Sequence, residues 1–396
     1  MKAFAIGPAL AAALLGLAAA SVHAQDAQVG ARAKALGGAG TAFEEDPQSI
    51  WLNPAGTAAQ PGGFALSYQT YIHYEERGDP PDDTLPGPEV NDPIFIPSFV
   101  GVVLQVGSPE LPQAVGICLA TPYHVLLPFR GPNPVSLPPS EVVVSDQTFH
   151  RLRFSYAIDF ALRPVGEDGF FSHVAVGLGA DLTFARMESA HYPGDFNSRD
   201  NDLGLSGGAG VLMGLYDNGQ SMRVSLGIAY QAPATYDLAP KSRVVPFFDW
   251  PQQVQVGLAF HLMERLPLRA YLEAQWTDWK AASKDSRLAG IEGFESSLGL
   301  SAGGEYRIEV SPSVGLLLRA GIRYYDAPWK HASETDLPAW GEYQLFIDTR
   351  AGKFVLFSFG FGLSWGYKEG TQDSLDVAFE IGGDAPAISF SYTFQF

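Results

Sequence analysis

Residues 387–396 read AISFSYTFQF, and their side chains alternate without exception between apolar and small or polar. The even positions from 388 to 396 are Ile, Phe, Tyr, Phe and Phe, whereas the odd positions from 387 to 395 are Ala, Ser, Ser, Thr and Gln. Successive side chains of a β-strand point to opposite faces, so this period of two places every large apolar group on one face. The pattern is typical of a strand with one face in lipid and the other in a polar interior.

The same period of two recurs along the chain. It is clearest in residues 152–162, 254–262, 355–365 and 375–381, where apolar side chains again occupy every second position. Counting such segments predicts about fourteen strands, an even number as expected of a single-chain bacterial barrel. Their expected centres are Tyr68, Val100, Ile117, Tyr156, Leu178, Ala209, Leu226, Leu258, Leu272, Ala302, Leu318, Phe359, Val377 and Tyr392.

The expected connections between these strands alternate in length. Long connections follow the first, third, fifth, seventh, ninth and eleventh strands, for example residues 75–93, 126–148 and 326–352, and mostly short turns such as 107–112 and 264–267 lie between them. Long loops on one rim and short turns on the other characterise outer-membrane barrels, whose termini are both periplasmic. We therefore predict an all-β fold, a transmembrane antiparallel β-barrel of about fourteen strands in the outer membrane.

Composition excludes several other classes of protein. After residue 24 no stretch offers about twenty unbroken apolar residues, which excludes a helical membrane protein, and the mean hydropathy is only +0.02. The formal charge of -18 over 396 residues argues against a nucleic-acid partner, because such partners require a basic surface. Cys118 is the only cysteine, so no internal disulfide can form.

The N-terminal region divides into two parts. Residues 1–24 carry Lys2, an apolar run and a small-residue ending at Ala24, the pattern of a cleaved secretory signal peptide, for which a membrane anchor is the alternative. Residues 25–61 follow and include GARAKALGGAGTAFEEDPQSIWLNPAG from Gly30 to Gly56, which shows no strand alternation. We expect residues 25–61 to form a hatch, or plug, in the lumen of a barrel built from residues 62–396.

Inward-facing positions of the predicted strands carry many charged residues among small ones. Six arginines are candidate contacts for a ligand in the lumen: Arg151, Arg153, Arg223, Arg269, Arg319 and Arg323. Unpaired charge at membrane depth is unfavourable, so these side chains should pair with acidic residues, with the plug or with water. Two interpretations remain open: a salt-bridged lumen that supports the barrel, or arginines that bind an anionic head group.

Apparent catalytic motifs have a simpler explanation. G-x-S-x-G sequences begin at Gly204, Gly299 and Gly362, but a nucleophile elbow requires a sharp strand-to-helix turn. Here the Gly, Ser and Gly of each copy share the inward face of an alternating strand, so we interpret them as a stripe of small residues along the lumen. The histidines lack metal-ligand spacing, and the acidic residues of loop 75–92 fit no Ca²⁺ motif. We expect no enzymatic activity, no metal and no cofactor.

Several stretches resemble a known family. The run from Gly30 through Gly37-Gly38-Ala39-Gly40 to Asn53-Pro54-Ala55-Gly56 resembles the N-terminal hatch of the FadL/TodX family of outer-membrane long-chain fatty acid and hydrocarbon transporters. Residues 273–279, EAQWTDW, are similar to a second recurring stretch of that family, as are residues 304–307 and 319–324. With the strand count, the resemblance covers essentially the whole mature chain.

The resemblance implies a monomeric barrel whose hatch blocks the lumen. A hydrophobic small molecule would be captured among the outer loops and released sideways through the wall into the lipid of the outer membrane once the hatch shifts. The family's lateral opening is associated with a kink in the third strand, for which Gly116 and Pro122 are the candidates here; proline removes a ladder donor. Seven residues would belong to the hatch motif: Gly37, Gly38, Gly40, Asn53, Pro54, Ala55 and Gly56.

Two alternatives belong to other classes of protein. PorV-like barrels of secretion systems share a Gly-rich N-terminus and an Asn-Pro-Ala turn, and would act as docking components for secreted proteins rather than as channels. A soluble exported β-sandwich is the second alternative. It would leave the apolar stripe of residues 355–365 exposed to water without explanation.

Overall fold

The computed structural model describes residues 29–43, 46–71, 94–131, 141–162, 169–192, 197–218, 221–238, 249–262, 267–282, 295–326, 344–345, 353–366, 373–382 and 387–396. Two features of the sequence lie outside these residues: the expected signal peptide at 1–24 and the acidic loop at 75–92.

Fourteen long strands in the described part of the chain form one closed antiparallel sheet. They are β1 (Gly63–Tyr71), β2 (Ile94–Gln105), β3 (Gln113–Gly131), β4 (Glu141–Ala161), β5 (His173–Tyr192), β6 (Asn197–Asp217), β7 (Met222–Gln231), β8 (Gln253–Leu262), β9 (Leu268–Thr277), β10 (Ser297–Ser311), β11 (Val314–Asp326), β12 (Lys353–Trp365), β13 (Asp373–Ile381) and β14 (Ala387–Gln395). Each strand pairs with the next, and β14 pairs with β1 to close the barrel. Every expected strand centre lies within its strand, and the predicted barrel is confirmed.

Two expected connections are much shorter than predicted. The long connection predicted over residues 126–148 is wrong, because β3 and β4 stay paired up to Gly131 opposite Glu141. Strands β5 and β6 likewise pair up to Ala190 opposite Asn197. Alternation reports only the part of a strand that lies in lipid, whereas backbone hydrogen bonding continues beyond the bilayer, so periodicity underestimates strand length. Two additional strands of two residues each, Gly169–Phe170 and Gln344–Leu345, pair with β6 and β3.

The two faces of the wall differ as the alternation predicts. In β14, Phe390 and Phe394 are exposed on the outside, whereas Ser391 and the other small polar residues are buried inside. In β12 the exposed apolar stripe from Phe357 to Leu363 is continuous. A continuous apolar exterior is suited to lipid and not to water, which excludes the soluble sandwich and confirms an outer-membrane barrel.

The helices are short and lie mainly at the N-terminus. They are α1 (Ala31–Ala35), α2 (Ser49–Leu52), a 3-10 helix (Pro54–Thr57) and α3 (Trp279–Ala282). Among the described residues, no helix is both long and apolar enough to cross a bilayer.

Residues 29–43 and 46–61, called here the N-terminal segment, lie inside the barrel. Almost all of their side chains are buried, and their apolar groups form one core with inward-facing residues of the wall. Contacts reach β12 and β13 from α1 and β4 to β6 from the 3-10 helix. The segment therefore fills the lumen between strands on different sides of the barrel.

Candidate functional site

Small residues on both partners allow the N-terminal segment to lie directly against the wall. Gly37 and Gly38 have φ of 70° and 95°, which favour glycine, and terminate α1. A Cβ at Gly37 would lie 2.6 Å from the Ile322 carbonyl oxygen, and one at Gly40 would lie 2.7 Å from the Leu52 side chain. Inward glycines of the wall face backbone or Cβ atoms of the segment in the same way: Gly177, Gly227, Gly303, Gly321 and Gly360. These inward glycines thus make room for the segment, whereas Gly204, Gly299 and Gly362 of the G-x-S-x-G motifs face side chains outside it.

A carboxylate of the wall holds the glycine-rich turn of the segment. Glu273 Oε2 on β9 accepts hydrogen bonds from the backbone N–H groups of Gly40 at 2.8 Å and Thr41 at 2.9 Å. The Glu273 side chain is buried, so these charge-assisted bonds supply the hydrogen bonding that the carboxylate loses on leaving water. The backbone of the glycine-rich turn therefore binds an acidic side chain of the same protein.

Asn53 connects two parts of the segment to the wall. Its Nδ2 donates to the carbonyl oxygens of Thr41 at 2.8 Å and of Val211 on β6 at 3.1 Å. Its Oδ1 accepts from the Ala55 N–H at 3.2 Å and so caps the 3-10 helix that Pro54 begins. Ala55 is fully buried, and Gly56 passes close to the carbonyl oxygen of Phe43. One side chain thus fixes the turn and ties it to a strand.

Further hydrogen bonds attach α1 to the opposite part of the wall. The Ala31 N–H donates to Ser391 Oγ of β14 at 2.7 Å, and the Gly37 N–H donates to Ser358 Oγ of β12 at 2.9 Å. Arg32 forms an ion pair with Glu305 of β10 at 3.2 Å. Together with Asn53 and Glu273, these contacts hold the segment at several points around the lumen.

Arg151 and Arg153 form a buried cluster with Asp181. Arg153 donates to both carboxylate oxygens of Asp181, at 2.7 Å and 2.9 Å, and Arg151 lies 3.2 Å from the same carboxylate. Arg153 Nη1 also donates to the carbonyl oxygens of Ile50 and Trp51 at the end of α2. Arg153 therefore hydrogen-bonds the wall to the segment, and Arg151 lies 5.5 Å from the ring centroid of Trp51.

Aromatic rings cover this cluster on the side of the long connections. The Arg151 guanidinium lies 3.9 Å from the ring centroid of Trp250. Trp250 in turn contacts Trp51 and Phe149, each at a centroid distance of 6.0 Å, and Phe149 contacts Tyr236 at 5.7 Å. We call Trp51, Phe149, Tyr236 and Trp250 the aromatic cluster; its members come from the segment, from β4 and from the connection between β7 and β8.

The wall is interrupted beside the aromatic cluster. Pairing of β3 with β4 shifts register between Ala120 and Tyr123, so Thr121 and Pro122 form a bulge with one extra residue. In the same region, the ladder between β2 and β3 extends only from the pair Phe99–Ala120 to the pair Gln105–Ala114. Among the described residues, therefore, no ladder joins residues 94–98 of β2 to residues 121–131 of β3. We call residues 121–131 the part of β3 above Ala120. Phe149 pairs with Tyr123 across β3 and β4, which places the aromatic cluster at the height of this gap.

The two predicted kink residues lie in different surroundings. Pro122 is in the bulge, whereas Gly116 pairs regularly with Val103 on β2 and Ser155 on β4. A Cβ at Gly116 would lie 2.9 Å from Cγ1 of Ile50. Gly116 therefore gives α2 access to the wall, and the irregularity lies above it.

The remaining predicted arginines lie elsewhere in the lumen. Arg319 forms ion pairs at 2.6 Å with Glu305 and with Asp376, and its side chain is buried. Arg223 and Arg269 line a cavity of about 310 Å³ toward the end of the barrel that carries the short turns. Arg323 Nη2 lies 3.5 Å from Gln275 Oε1, outside that cavity. The six arginines thus belong to at least three surroundings, and Arg151, Arg153, Arg223, Arg269 and Arg319 pair with acidic residues of the wall, as a salt-bridged lumen requires.

Sequence reasoning missed most of the aromatic cluster. Phe149 had a usable signal, because it continues the odd-numbered inward face that includes Arg151 and Arg153. Tyr236 and Trp250 lie in the connection between β7 and β8, where no alternation indicates orientation. Within the residues that the structure describes, no three His, Cys, Asp or Glu side chains are grouped so as to hold a metal ion.

Comparison with known proteins identifies relatives in structure. No protein-family model matches the chain, and no curated protein matches it. A FadL homologue from Pseudomonas aeruginosa is similar over 94% of this chain and 99% of its own, with a TM-score of 0.58 and 14% identity. The CymD monoaromatic hydrocarbon channel is similar over 93% and 98%, with a TM-score of 0.54 and 15% identity.

The toluene transporter TodX from Pseudomonas putida is similar over 94% of this chain and 99% of its own, with a TM-score of 0.54 and 11% identity. At these identities the likeness concerns the fold. The chain has the fold shared by these structures, so the resemblance seen in the sequence is confirmed at that level.

Proposed function

We propose that this barrel takes up hydrophobic small molecules, long-chain fatty acids or hydrocarbons, across the outer membrane, and that the N-terminal segment is the hatch that controls their passage. In this proposal the substrate enters among the long connections, contacts the aromatic cluster and leaves sideways through the gap between β2 and β3. The transport proteins that share the fold make a channel the expected class of function.

The observation that carries the proposal is the interrupted ladder beside the bulge of β3. In a bilayer, backbone groups without partners are costly, so a barrel normally pairs every strand along its length in the membrane. Among the described residues, β2 and β3 share no ladder above Ala120, and such a place in the wall is suited to an opening lined by side chains or by ligand. The opening would connect the lumen directly with lipid, which is where a hydrophobic molecule partitions.

The aromatic cluster supports a hydrophobic substrate. Its rings lie at the height of the gap, and Arg151 and Arg153 beside it are both engaged by Asp181. Apolar rings with a few polar groups are the usual lining of a site for a small hydrophobic ligand. Because Trp51 belongs to the segment and Trp250 to the barrel, a ligand that separates these two rings would also displace the segment.

The hatch role follows from how fully the segment occupies the lumen. It is bound by β4, β6, β9, β12 and β14, and the wall glycines leave little space between segment and wall. Passage of a molecule past it therefore requires the segment to move. The contacts are many but individually modest, about 0.5–1.5 kcal/mol for a neutral hydrogen bond, so a partial shift is energetically accessible.

A reversible covalent lock tests the proposal. A Cβ built at Gly257 of β8 would lie 3.2 Å from Cβ of Thr41, so cysteines at these positions can bridge the N-terminal segment and β8 after a small adjustment. We would introduce Thr41→Cys and Gly257→Cys into a Cys118→Ala background and measure uptake of radiolabelled toluene and oleate by cells that lack their own transporter. Uptake should be low when the pair is oxidised and should return on reduction.

The same chain in two redox states provides its own control. Each single-cysteine variant should transport equally with and without oxidant. Equal uptake by the oxidised and reduced double variant, with the bridge verified by mass spectrometry, would show that the part of the segment near Thr41 does not gate transport. Lack of any uptake by the unmodified protein for both compounds would reject the transport proposal itself.

A further inference from the structure

Six neighbouring strands carry an unbroken row of ionisable side chains across the lumen wall. The register places these residues directly opposite one another from β6 to β11. In order they are Asp217, Arg223, His261, Arg269, Glu305 and Arg319. Directly opposite residues on adjacent strands have Cβ atoms about 5 Å apart, so each member of the row can interact with the next.

Acidic and basic residues alternate in this row except at His261. Arg223 Nε lies 3.2 Å from Asp217, and Glu305 is shared by Arg269 at 3.2 Å and Arg319 at 2.6 Å. A regular alternation would place a carboxylate between Arg223 and Arg269, but the position holds a buried histidine. The row therefore has two guanidinium groups flanking an imidazole, without an acid of the row between them.

A cavity opens in front of this part of the row. It has a volume of about 310 Å³, and Arg223, His261 and Arg269 all line it. Among the described residues, five arginines and two carboxylates face the cavity, counting Arg32, Arg307 and Arg319 with Asp46 and Glu305. This cationic lining is unusual in a chain of formal charge -18.

The two flanking arginines are partly accessible, as is Arg307. The side chains of Arg223 and Arg269 are 32% and 29% exposed, whereas that of Arg319 is 1% exposed. Strands lie about 4.8 Å apart, so the backbones of Arg223 and Arg269, two strands apart, are separated by about 10 Å. Two long arginine side chains can span this distance and converge on a single group above His261.

We propose that this cavity binds an anionic group, a carboxylate or a phosphate, between Arg223 and Arg269 and over His261. Guanidinium groups bind both kinds of oxyanion through charge-assisted, often bidentate hydrogen bonds, and the imidazole adds a ring N–H donor. The site lies toward the short turns and is separate from the aromatic cluster. It does not depend on the proposed transport of hydrophobic molecules.

Titration calorimetry on the intact barrel in a non-ionic detergent at low salt tests this inference. The probes are inorganic phosphate and butyrate, with butyramide as the neutral match for butyrate. At least one anion should bind saturably, and butyramide should not. Arg223→Gln and Arg269→Gln should each weaken that binding at least about tenfold, the effect of losing one charge-assisted contact.

Arg323→Gln is the matched control, because Arg323 is an inward arginine of the same wall that does not line the cavity. It should leave the affinity within about twofold. If the unmodified protein binds phosphate more tightly than butyrate, the anionic group is a phosphate; the reverse preference assigns a carboxylate. Absence of saturable binding by both anions, or equal loss in all three variants, would overturn the proposal. Each variant is first run on a denaturing gel with and without boiling. A folded barrel should change its migration on boiling, so this heat-dependent migration keeps a failure to fold from being mistaken for a loss of binding.

Discussion

Gly303 and Gly304 are consecutive residues of β10 with different neighbours. A Cβ at Gly303 would lie 2.7 Å from the Leu36 Cα of the N-terminal segment, whereas one at Gly304 would lie 3.9 Å from its nearest described neighbour, the Arg269 carbonyl oxygen. We expect Gly303→Ala to loosen the segment, at a cost of about 1–3 kcal/mol typical of overpacking. Faster cleavage within residues 29–61 by added protease, with the barrel still folded, would report this change.

The adjacent substitution is the control for that prediction. Gly304→Ala adds the same methyl group one residue further along and makes only ordinary van der Waals contact, so its cleavage rate should match the unmodified protein. If both variants behave alike, the close approach of β10 to Leu36 does not determine how tightly the segment is held.

At the scale of single elements, β3 makes the sharpest prediction. Between the pairs Ala120–Arg151 and Tyr123–Phe149, β3 has two residues where β4 has one. Deleting Pro122 would let Thr121 pair with His150, restore a continuous ladder between β3 and β4 and leave the register of Tyr123 unchanged. Because a bulge bends its strand, the deletion should straighten β3 beside the gap between β2 and β3, and we expect it to reduce uptake of toluene and oleate while the barrel still inserts and shows heat-dependent migration.

One further variant separates the effect of the proline ring from the effect of the extra residue in the bulge. Pro122→Ala restores a backbone donor but retains the extra residue, so it should keep most of the uptake that the deletion loses. Full uptake by the deletion variant would mean that the irregularity of β3 is not part of the exit route.

Lys34 of helix α1 should make the docking of the N-terminal segment in the lumen dependent on pH. Burial lowers the pKa of Lys34 from its ordinary 10.5 to about 8, although the nearby Glu380 carboxylate acts in the opposite direction. The docked segment therefore binds fewer protons than the undocked one between these two values, and docking should strengthen as pH rises from about 7 toward 10. Proteinase K should cleave the segment more slowly at pH 9.5 than at pH 7, after correction for its own activity.

Two lysine variants identify the group responsible. Lys34→Met should remove most of this pH dependence and protect the segment already at pH 7, since the buried charge is gone. Lys280→Met, at an exposed lysine of α3, should retain the dependence of the unmodified protein. A pH effect that survives in Lys34→Met would assign it to another group.

Elements differ in how well the sequence predicts them. The strands of the wall, such as β12 and β14, separate lipid from a polar lumen along most of their length, so a period of two reports them directly. Helices α1 and α2 have five and four residues, too few for a helical period to be visible. The parts of β3 to β6 nearest the long connections lack a regular alternation in the sequence, which is why the length of these strands was underestimated.

At the scale of the whole molecule, the alternation of side chains shows which residues face inward. It does not show the register, that is, which residues of adjacent strands lie opposite one another. The sequence shows that Arg223, His261 and Arg269 face inward, but not that they are opposite one another on β7, β8 and β9. The same holds for Arg153 and Asp181, which a pairing of β4 with β5 brings together. Candidate residues could thus be assigned to the lumen from the sequence, while their division into separate clusters required the folded barrel.

The closed wall and the N-terminal segment are held by different interactions. The wall closes through the ladder between β1 and β14, to which the segment contributes no strand, and ion pairs such as Arg153–Asp181 lie within the wall itself. We therefore expect deletion of residues 30–56 to leave an inserted barrel with heat-dependent migration. Barrels of about fourteen strands lie between small ones filled by side chains and porins with an aqueous channel, so the emptied lumen should conduct ions.

Conductance in planar bilayers checks this expectation. The unmodified protein should show little or no current, and the deletion should show steady channels of much higher conductance. A deletion variant that no longer inserts would mean that the segment is an essential part of the barrel core. An inserted deletion variant without current would mean that other residues close the lumen, and that the segment alone is not the barrier to passage.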